Sequence, residues 1–334
     1  MSAPGTSASG RARRRWRRRW RRLGFSLIPA VALLLLGEVV ARQAGVLVGG
    51  GPGGWTLTPG LDGYEIKQRP PMVDFTVSTN EDGLRTAYGR ERAPGTRRLL
   101  VFGDSTVFGW GLPPEGSPAG VLEAALGEGW EVVNAGQPGF SSEQARRLAE
   151  ALLPLYEPDG VVWFHPWHDV SEVKVADREL LPDEPAWWLQ SALLSWLAAP
   201  SREERSDTEM PFAPFAADHT ADGVKRVPEG ERRENLERVA EAAGDAGAWL
   251  VVALLPTDTT LGVTRPSPLA RELQPVCEAL GVAFVDTGAT MVGRTVSEVT
   301  LPGDPGHFTA AANALLLAPV LDAISSSASG RERP

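Results

Sequence analysis

The sequence predicts an α/β fold: a three-layer α/β/α sandwich on a five-stranded parallel sheet, preceded by one N-terminal transmembrane helix. Two observations predict the sandwich. From Arg97 onward, short apolar runs alternate with longer amphipathic or charged segments. The runs are apolar along their whole length rather than at every second residue, the pattern of strands buried on both faces. A third observation predicts the membrane helix: nineteen mostly apolar residues directly follow a dense arginine block.

The arginine block holds nine arginines between Arg11 and Arg22, and no acidic residue precedes Glu38. Residues 23–41, LGFSLIPAVALLLLGEVVA, approach the roughly 20 residues a helix needs to cross the hydrocarbon core. A buried core helix is the alternative, but such helices seldom follow a cluster of this density. Pro29 is tolerated near one end, and Glu38 can reach Arg42 one turn on. Trp16 and Trp20 suit the interface. Arginine on one side only keeps that side cytoplasmic, which puts the chain after Arg42 outside. Ala41-Arg42-Gln43-Ala44 is a poor small-x-small cleavage site, so the segment reads as an uncleaved signal anchor. Residues 1–22 are then a basic cytoplasmic tail.

Residues 42–95 read as a linker and N-terminal extension. The stretch 46–60 is glycine-rich. Phe75-Thr76-Val77-Ser78-Thr79 alternates like a strand, and Asn80-Glu81-Asp82-Gly83 supplies turn chemistry. The main domain spans 96–324. Its strands are expected at Leu99–Phe102, Glu131–Val133, Val161–Phe164, Trp249–Leu255 and Val282–Val285. Helices are expected at Ala119–Leu126, Ser141–Leu153, Glu231–Ala246, Leu269–Leu280 and Thr309–Ile324, with Ser142 and Glu143 as start signals for the second. About residues 171–228 fit the alternation badly and form an insertion. Within it Trp187-Trp188-Leu189 and Leu193-Leu194-Ser195-Trp196 are spaced like one helix face, suited to core packing, to a lid, or to a face resting on the membrane. Residues 325–334 read as a disordered tail.

Composition removes several classes of function. The chain has 334 residues, a net charge of −9, one cysteine and four histidines. Without the nine N-terminal arginines, 24 basic residues face 42 acidic ones, a balance of −18. So acidic a body argues against nucleic-acid binding. The basic arm alone would also suit RNA, but an apolar span follows it immediately. Cys277 by itself excludes an internal disulfide framework and a multi-cysteine metal site, and it reads as core filler. Any histidine chemistry must use His165, His168, His219 or His307.

Two short motifs carry that chemistry. Gly103-Asp104-Ser105-Thr106 ends the first apolar run, which places a serine at the carboxyl edge of the sheet, where active residues of such folds collect. Asp304-Pro305-Gly306-His307 precedes the last helix. A carboxylate three residues before a histidine can turn back to hold the imidazole, fix its tautomer and support the imidazolium. Each motif alone is more often a turn or a cap.

Together, and in this order, they resemble the SGNH/GDSL hydrolase family, over about residues 96–324. Gly103-Asp104-Ser105 resembles its serine block, Asn134-Ala135-Gly136 its glycine block, and Asp304 and His307 its terminal block. Asn80-Glu81-Asp82-Gly83-Leu84-Arg85 is similar to a segment of membrane-anchored bacterial members. The resemblance implies an SGNH/flavodoxin-like fold and a catalytic triad of Ser105, Asp304 and His307. It also implies an oxyanion hole from the N–H groups of Ser105 and Gly136. The asparagine block departs from the family: Pro166-Trp167-His168-Asp169 puts His168 where an amide is expected. A neutral imidazole donates one N–H, so His168 is either the third oxyanion donor or a plain loop residue.

The implied activity is that of an extracytoplasmic esterase acting on an acylated small molecule, glycan, envelope polymer or lipid, with no metal or organic cofactor. An O-acyltransferase shares the triad. A non-catalytic carbohydrate-binding relic would keep the fold alone.

Overall fold

The structure is a computed structural model that describes residues 29, 31–40, 60–181, 191, 193–194, 220–257, 261 and 266–330. The basic tail, most of the linker, the insertion tryptophans and residues 331–334 lie outside that set. The chain forms two compact units, one of residues 1–49 with 184–204, the other of residues 50–183 with 205–334. In the first, the described part of the expected membrane segment is helix α1 (Val31–Val40). Its Leu33, Leu34, Leu35 and Leu36 are exposed.

In the second unit, β1 (Tyr64–Ile66) pairs antiparallel with β2 (Phe75–Val77). Next come β3 (Arg97–Phe102), α2 (Ser105–Phe108), α3 (Pro118–Leu126), β4 (Trp130–Asn134), α4 (Ser142–Tyr156) and β5 (Gly160–Phe164). The insertion opens with β6 (Glu172–Val173) and α5 (Asp177–Leu180) and closes with β7 (Val224–Lys225), which pairs with β6. Then follow α6 (Glu229–Asp245), β8 (Trp249–Leu254), α7 (Pro268–Leu280), β9 (Ala283–Asp286), α8 (Val296–Val299), β10 (Thr300–Leu301), β11 (Asp304–Phe308) and α9 (Ala310–Ser329).

Five strands form one parallel sheet in the order β4-β3-β5-β8-β9. Side chains alternate across it and fill two cores. On one face Leu100, Phe102, Val133, Trp163 and Val252 pack against Leu148 and Leu152 of α4, Val239 of α6 and Leu273 of α7. On the other, Leu99, Val101, Val162, Phe164 and Val251 meet Leu122 of α3 and Leu317, Val320 and Ile324 of α9. Helix α9 is long and apolar enough to cross a membrane by length and composition, yet its apolar face is a wall of this core. The three-layer α/β/α architecture is therefore the one the alternating runs predict.

Several boundaries differ from expectation for local reasons. Helix α9 runs to Ser329, so residues 325–329 are helical rather than part of a disordered tail; Ser325, Ser326 and Ser329 each donate to a carbonyl four residues back. Helix α4 is capped by Ser141, not Ser142: Ser141 Oγ accepts from the Gln144 N–H, and Gln144 returns the bond to the Ser141 N–H. Cys277 is buried in the core, where desolvation pushes its thiol up to about 12, which makes it inert.

Candidate active site

Strand β3 delivers Ser105, the serine expected as nucleophile. Gly103 follows it because no side chain fits there: a Cβ would lie 2.4 Å from Val107 Cγ2 and 3.2 Å from Phe164 Cβ. Asp104 caps α2, its Oδ1 accepting from the Thr106 N–H at 2.9 Å and from Thr106 Oγ1 at 2.6 Å. Ser105 thus stands in the first turn of α2, at the carboxyl edge of a central strand, and among the described residues no acceptor takes its backbone N–H.

The other two residues arrive from β11, with His307 202 positions further along the chain than Ser105. Asp304 and His307 lie on a strand paired with β10, not in a free loop. His307 Nε2 is 2.8 Å from Ser105 Oγ, and His307 Nδ1 is 2.7 Å from Asp304 Oδ2. With Asp304 ionised, Nδ1 carries the proton it donates, which leaves Nε2 to accept from the serine hydroxyl. Burial alone would raise the Asp304 carboxyl. The hydrogen bond and charge of His307, with the N–H groups of Gly306 and His307, outweigh it and hold the carboxyl below its ordinary value. The carboxylate therefore stays charged while the imidazole works.

The glycine expected to bind an oxyanion is already engaged. The Gly136 N–H donates to Asn134 Oδ1 at 3.0 Å. Glycine is required at 136 for another reason, since a Cβ would lie 2.5 Å from the Phe108 nitrogen. Three residues on, Gly139 has φ +76, and among the described residues no acceptor takes its N–H. Its carbonyl is held by the buried Arg226 guanidinium at 2.6 Å. The signal for it in sequence is the second glycine of Gly136-Gln137-Pro138-Gly139.

His168 lies in the short 3-10 turn Trp167–Val170 after β5, its ring stacked on Trp167 at 4.1 Å. Between the end of β5 and this turn lies a histidine–carboxylate contact that sequence reading passed over. His165 Nε2 lies 2.9 Å from Asp169 Oδ2, with both side chains fully buried and the two groups too poorly aligned to form a hydrogen bond. Asp169 Oδ1 accepts from the Ser142 N–H at 2.7 Å, tying this turn to the start of α4.

The N-terminal extension reaches this site. The Trp110 N–H donates to the Ser105 carbonyl at 3.1 Å, and its indole N–H donates to Gln68 Oε1, beyond β1, at 3.2 Å. The indole packs edge-on against Phe75 of β2 at 5.1 Å and lies 6.1 Å from the His307 ring. Arg85, from the Asn80–Arg85 segment, is buried and donates to the carbonyls of Thr76, Phe108, Gly109 and Leu112 at 2.6–3.1 Å. Desolvation lowers its guanidinium to about 10 despite the pull of Glu115. Asn80 shapes the segment, its Oδ1 accepting from the N–H groups of Asp82 and Leu84. The segment is a clamp on the loop after Ser105.

A cavity of about 770 Å³ lined by Arg92, Glu150, Asp159, Arg238 and Asp245 opens at the opposite, amino ends of the strands, and no triad residue lines it. Among the described residues no cluster of histidine, cysteine, aspartate or glutamate suits a metal ion.

The fold and the constellation together have the form of an α/β serine hydrolase. No family model matches the chain, and no curated protein matches it. Among solved structures it is similar to the psychrotrophic esterase EstA from Pseudoalteromonas sp., at 16% identity and a TM-score of 0.42 over 69% of this chain and 97% of that one. It is also similar to a carbohydrate acetylesterase family member from Sinorhizobium meliloti, at 15% identity and 0.41 over 68% and 97%. A third is the lipase/acylhydrolase from Enterococcus faecalis, at 20% identity and 0.43 over 69% and 96%.

Proposed function

We propose that the protein is a membrane-anchored, extracytoplasmic serine esterase that hydrolyses O-acyl esters of carbohydrate or envelope polymers. The observation that carries the chemistry is the continuous chain Ser105 Oγ, His307 Nε2, His307 Nδ1, Asp304 Oδ2, with contacts of 2.8 and 2.7 Å. His307 takes the Ser105 proton as Oγ attacks the ester carbonyl, and the carbonyl oxygen becomes an oxyanion. His307 then protonates the leaving alkoxide. Water, deprotonated by the same nitrogen, cleaves the acyl-enzyme and restores Ser105.

The Ser105 N–H is one oxyanion donor in this proposal. Gly139 replaces Gly136 as the second, because its N–H is not already spent within the chain. His168 is the third. Each such donor contributes on the order of 3 kcal/mol to the transition state. The anchor reading rests on the apolar stretch 23–41, the one-sided arginines and the exposed leucines of α1.

The test of the chemistry is hydrolysis of a short-chain nitrophenyl ester by the full chain in detergent. Wild type turns over and Ser105→Ala falls to background; equal rates would sink the proposal. The topology is tested by an alkaline phosphatase reporter fused after Ala44, which is active only outside the cytoplasm. An inactive but intact fusion would reverse the orientation.

A further inference from the structure

The esterase reading leaves the described ends of the insertion without a role. Two buried charged residues sit there, Asp177 in α5 and Arg226 just after β7. Neither belongs to the triad. What they hold is the turn that carries Gly139.

That turn starts beside Ser105. The Gln137 N–H donates to the Gly103 carbonyl at 3.0 Å, and the Phe140 N–H donates to the Gln137 carbonyl at 3.2 Å. With Pro138 second and Gly139 third at φ +76, this is the pattern of a type II turn. The closing bond uses groups of Gln137 and Phe140 and leaves the Gly139 N–H outside it. The tie to Gly103 fixes where the turn begins. Its far side is fixed by Arg226.

The Arg226 guanidinium is a three-way joint. Nη1 donates to the Gly139 carbonyl at 2.6 Å, Nη2 to Gln144 Oε1 at 2.6 Å, and Nε to the two Asp177 oxygens at 3.0 and 2.9 Å. Asp177 Oδ2 also accepts from Ser141 Oγ at 2.5 Å, so the pair grips the exit of the turn as well. A planar fork serves acceptors in several fixed directions, which an ammonium does not. The main chain of Arg226 is tied to a different loop. Its N–H donates to the Ser171 carbonyl at 2.8 Å, and the Val227 N–H donates to the Asp169 carbonyl at 3.1 Å. The Ser171 N–H in turn donates to the His168 carbonyl at 3.1 Å. One residue thus joins the turn of Gly139 to the turn of His168.

Those two turns carry the second and third oxyanion donors of the proposal above. Such donors count only when they are aimed at the position the oxyanion takes. A buried ion pair costs desolvation that an apolar pair avoids, so packing alone does not call for one here. We infer that Arg226, oriented by Asp177, is a positioning residue of the oxyanion hole, which sets the Gly139 N–H in register with His168. The inference rests on the esterase reading and on Gly139 as a donor. It gives the ends of the insertion a part in completing the site.

The test uses the full chain in detergent, with a short-chain nitrophenyl ester as substrate and an alkyl trifluoromethyl ketone as inhibitor. Ser105 Oγ adds to the ketone carbon and leaves a tetrahedral oxyanion, so Ki reads the hole itself. Arg226→Met combined with Asp177→Leu removes both buried charges together, which spares the fold an unpaired one. This double variant should lower kcat about 10²-fold with KM within about threefold, and raise Ki about 10²-fold in parallel. Arg226→Lys keeps the charge pair without the fork and should lie about tenfold below wild type in kcat, with a matching rise in Ki. It carries the test alone if the double variant does not fold. Folded variants that lose melting temperature only, or kcat without a matching rise in Ki, overturn the positioning role and leave the triad standing. Wild type no faster than Ser105→Ala overturns the esterase reading and the inference with it.

Discussion

Two histidine–aspartate contacts flank the carboxyl edge of one sheet, and they differ in what surrounds them. His307 and Asp304 are partly exposed, well aligned at 2.7 Å, and the free ring nitrogen faces Ser105. His165 and Asp169 are fully buried at 2.9 Å without alignment, and the other ring nitrogen accepts from the Trp163 indole N–H at 3.4 Å. The first pair has a serine hydroxyl on its other ring nitrogen and a share of its surface open to solvent. The second has neither, and its aspartate spends a lone pair on the Ser142 N–H. A histidine beside a carboxylate is therefore no site in itself. What the second nitrogen meets decides between catalysis and scaffolding.

The sharpest way to break this contrast is the same substitution at both aspartates. Asp304→Asn should cost about 10³–10⁴ in kcat while leaving the urea midpoint nearly unchanged, because the imidazole loses its orienting acceptor. Asp169→Asn should do the reverse, lowering stability by about 2 kcal/mol with kcat within about tenfold of wild type. Matched effects at the two positions would erase the distinction. Within the catalytic half, His168→Ala should lower kcat about 10²-fold with KM little changed, and His168→Asn should recover most of it by restoring an N–H donor. Equal activity in all three proteins would return His168 to the role of a loop residue.

A smaller effect is expected from the wall beside His307. Trp110→Ala should lower kcat/KM about tenfold, since the indole both borders the imidazole and links it to Gln68 and Phe75. Trp110→Phe keeps the ring and should lie between. The smallest effect is a pH dependence at Asp304. The Asp304 carboxyl is held below its ordinary 3.8 in the folded protein. Its stabilising contribution is thus present above that value and lost as pH falls through the folded one. The melting temperature of wild type should fall more on acidification toward pH 3 than that of Asp304→Asn; parallel curves would contradict the assignment.

How much of this was legible beforehand depends on the kind of residue. The three inner strands announce themselves because Leu99–Phe102, Val161–Phe164 and Trp249–Leu254 are buried on both faces and so are apolar throughout, whereas the edge strands β4 and β9 carry Glu131, Asn134 and Asp286. Ser105, Asp304 and His307 are legible as motifs in a known order, although the β10–β11 pairing that carries two of them is not. Thr300-Leu301 and Asp304-Pro305-Gly306 lack any strand periodicity. Strand β1 escapes for the same reason, with only Ile66 of its three residues buried.

The two glycines that sit three apart, Gly136 and Gly139, read alike in sequence. Gly136 is demanded by packing against Phe108, and sequence alone does not separate that demand from an exposed N–H. Least legible are the buried arginines. Arg85, Arg98, Arg146 and Arg226 are each almost wholly buried, against the usual surface habit of the residue. Only the structure shows the carbonyls and carboxylates that accept from them, such as Glu131 for Arg98 and Asp177 for Arg226.

The reactivity of one oxygen, Ser105 Oγ, tests the triad most directly. Wild-type protein treated with a fluorophosphonate probe should gain one covalent adduct, located at Ser105 by peptide mass spectrometry. The adduct should be absent from Ser105→Ala and form far more slowly on His307→Ala. An unlabelled wild type that is folded and has an intact Ser105, or labelling that persists in Ser105→Ala, would contradict the triad.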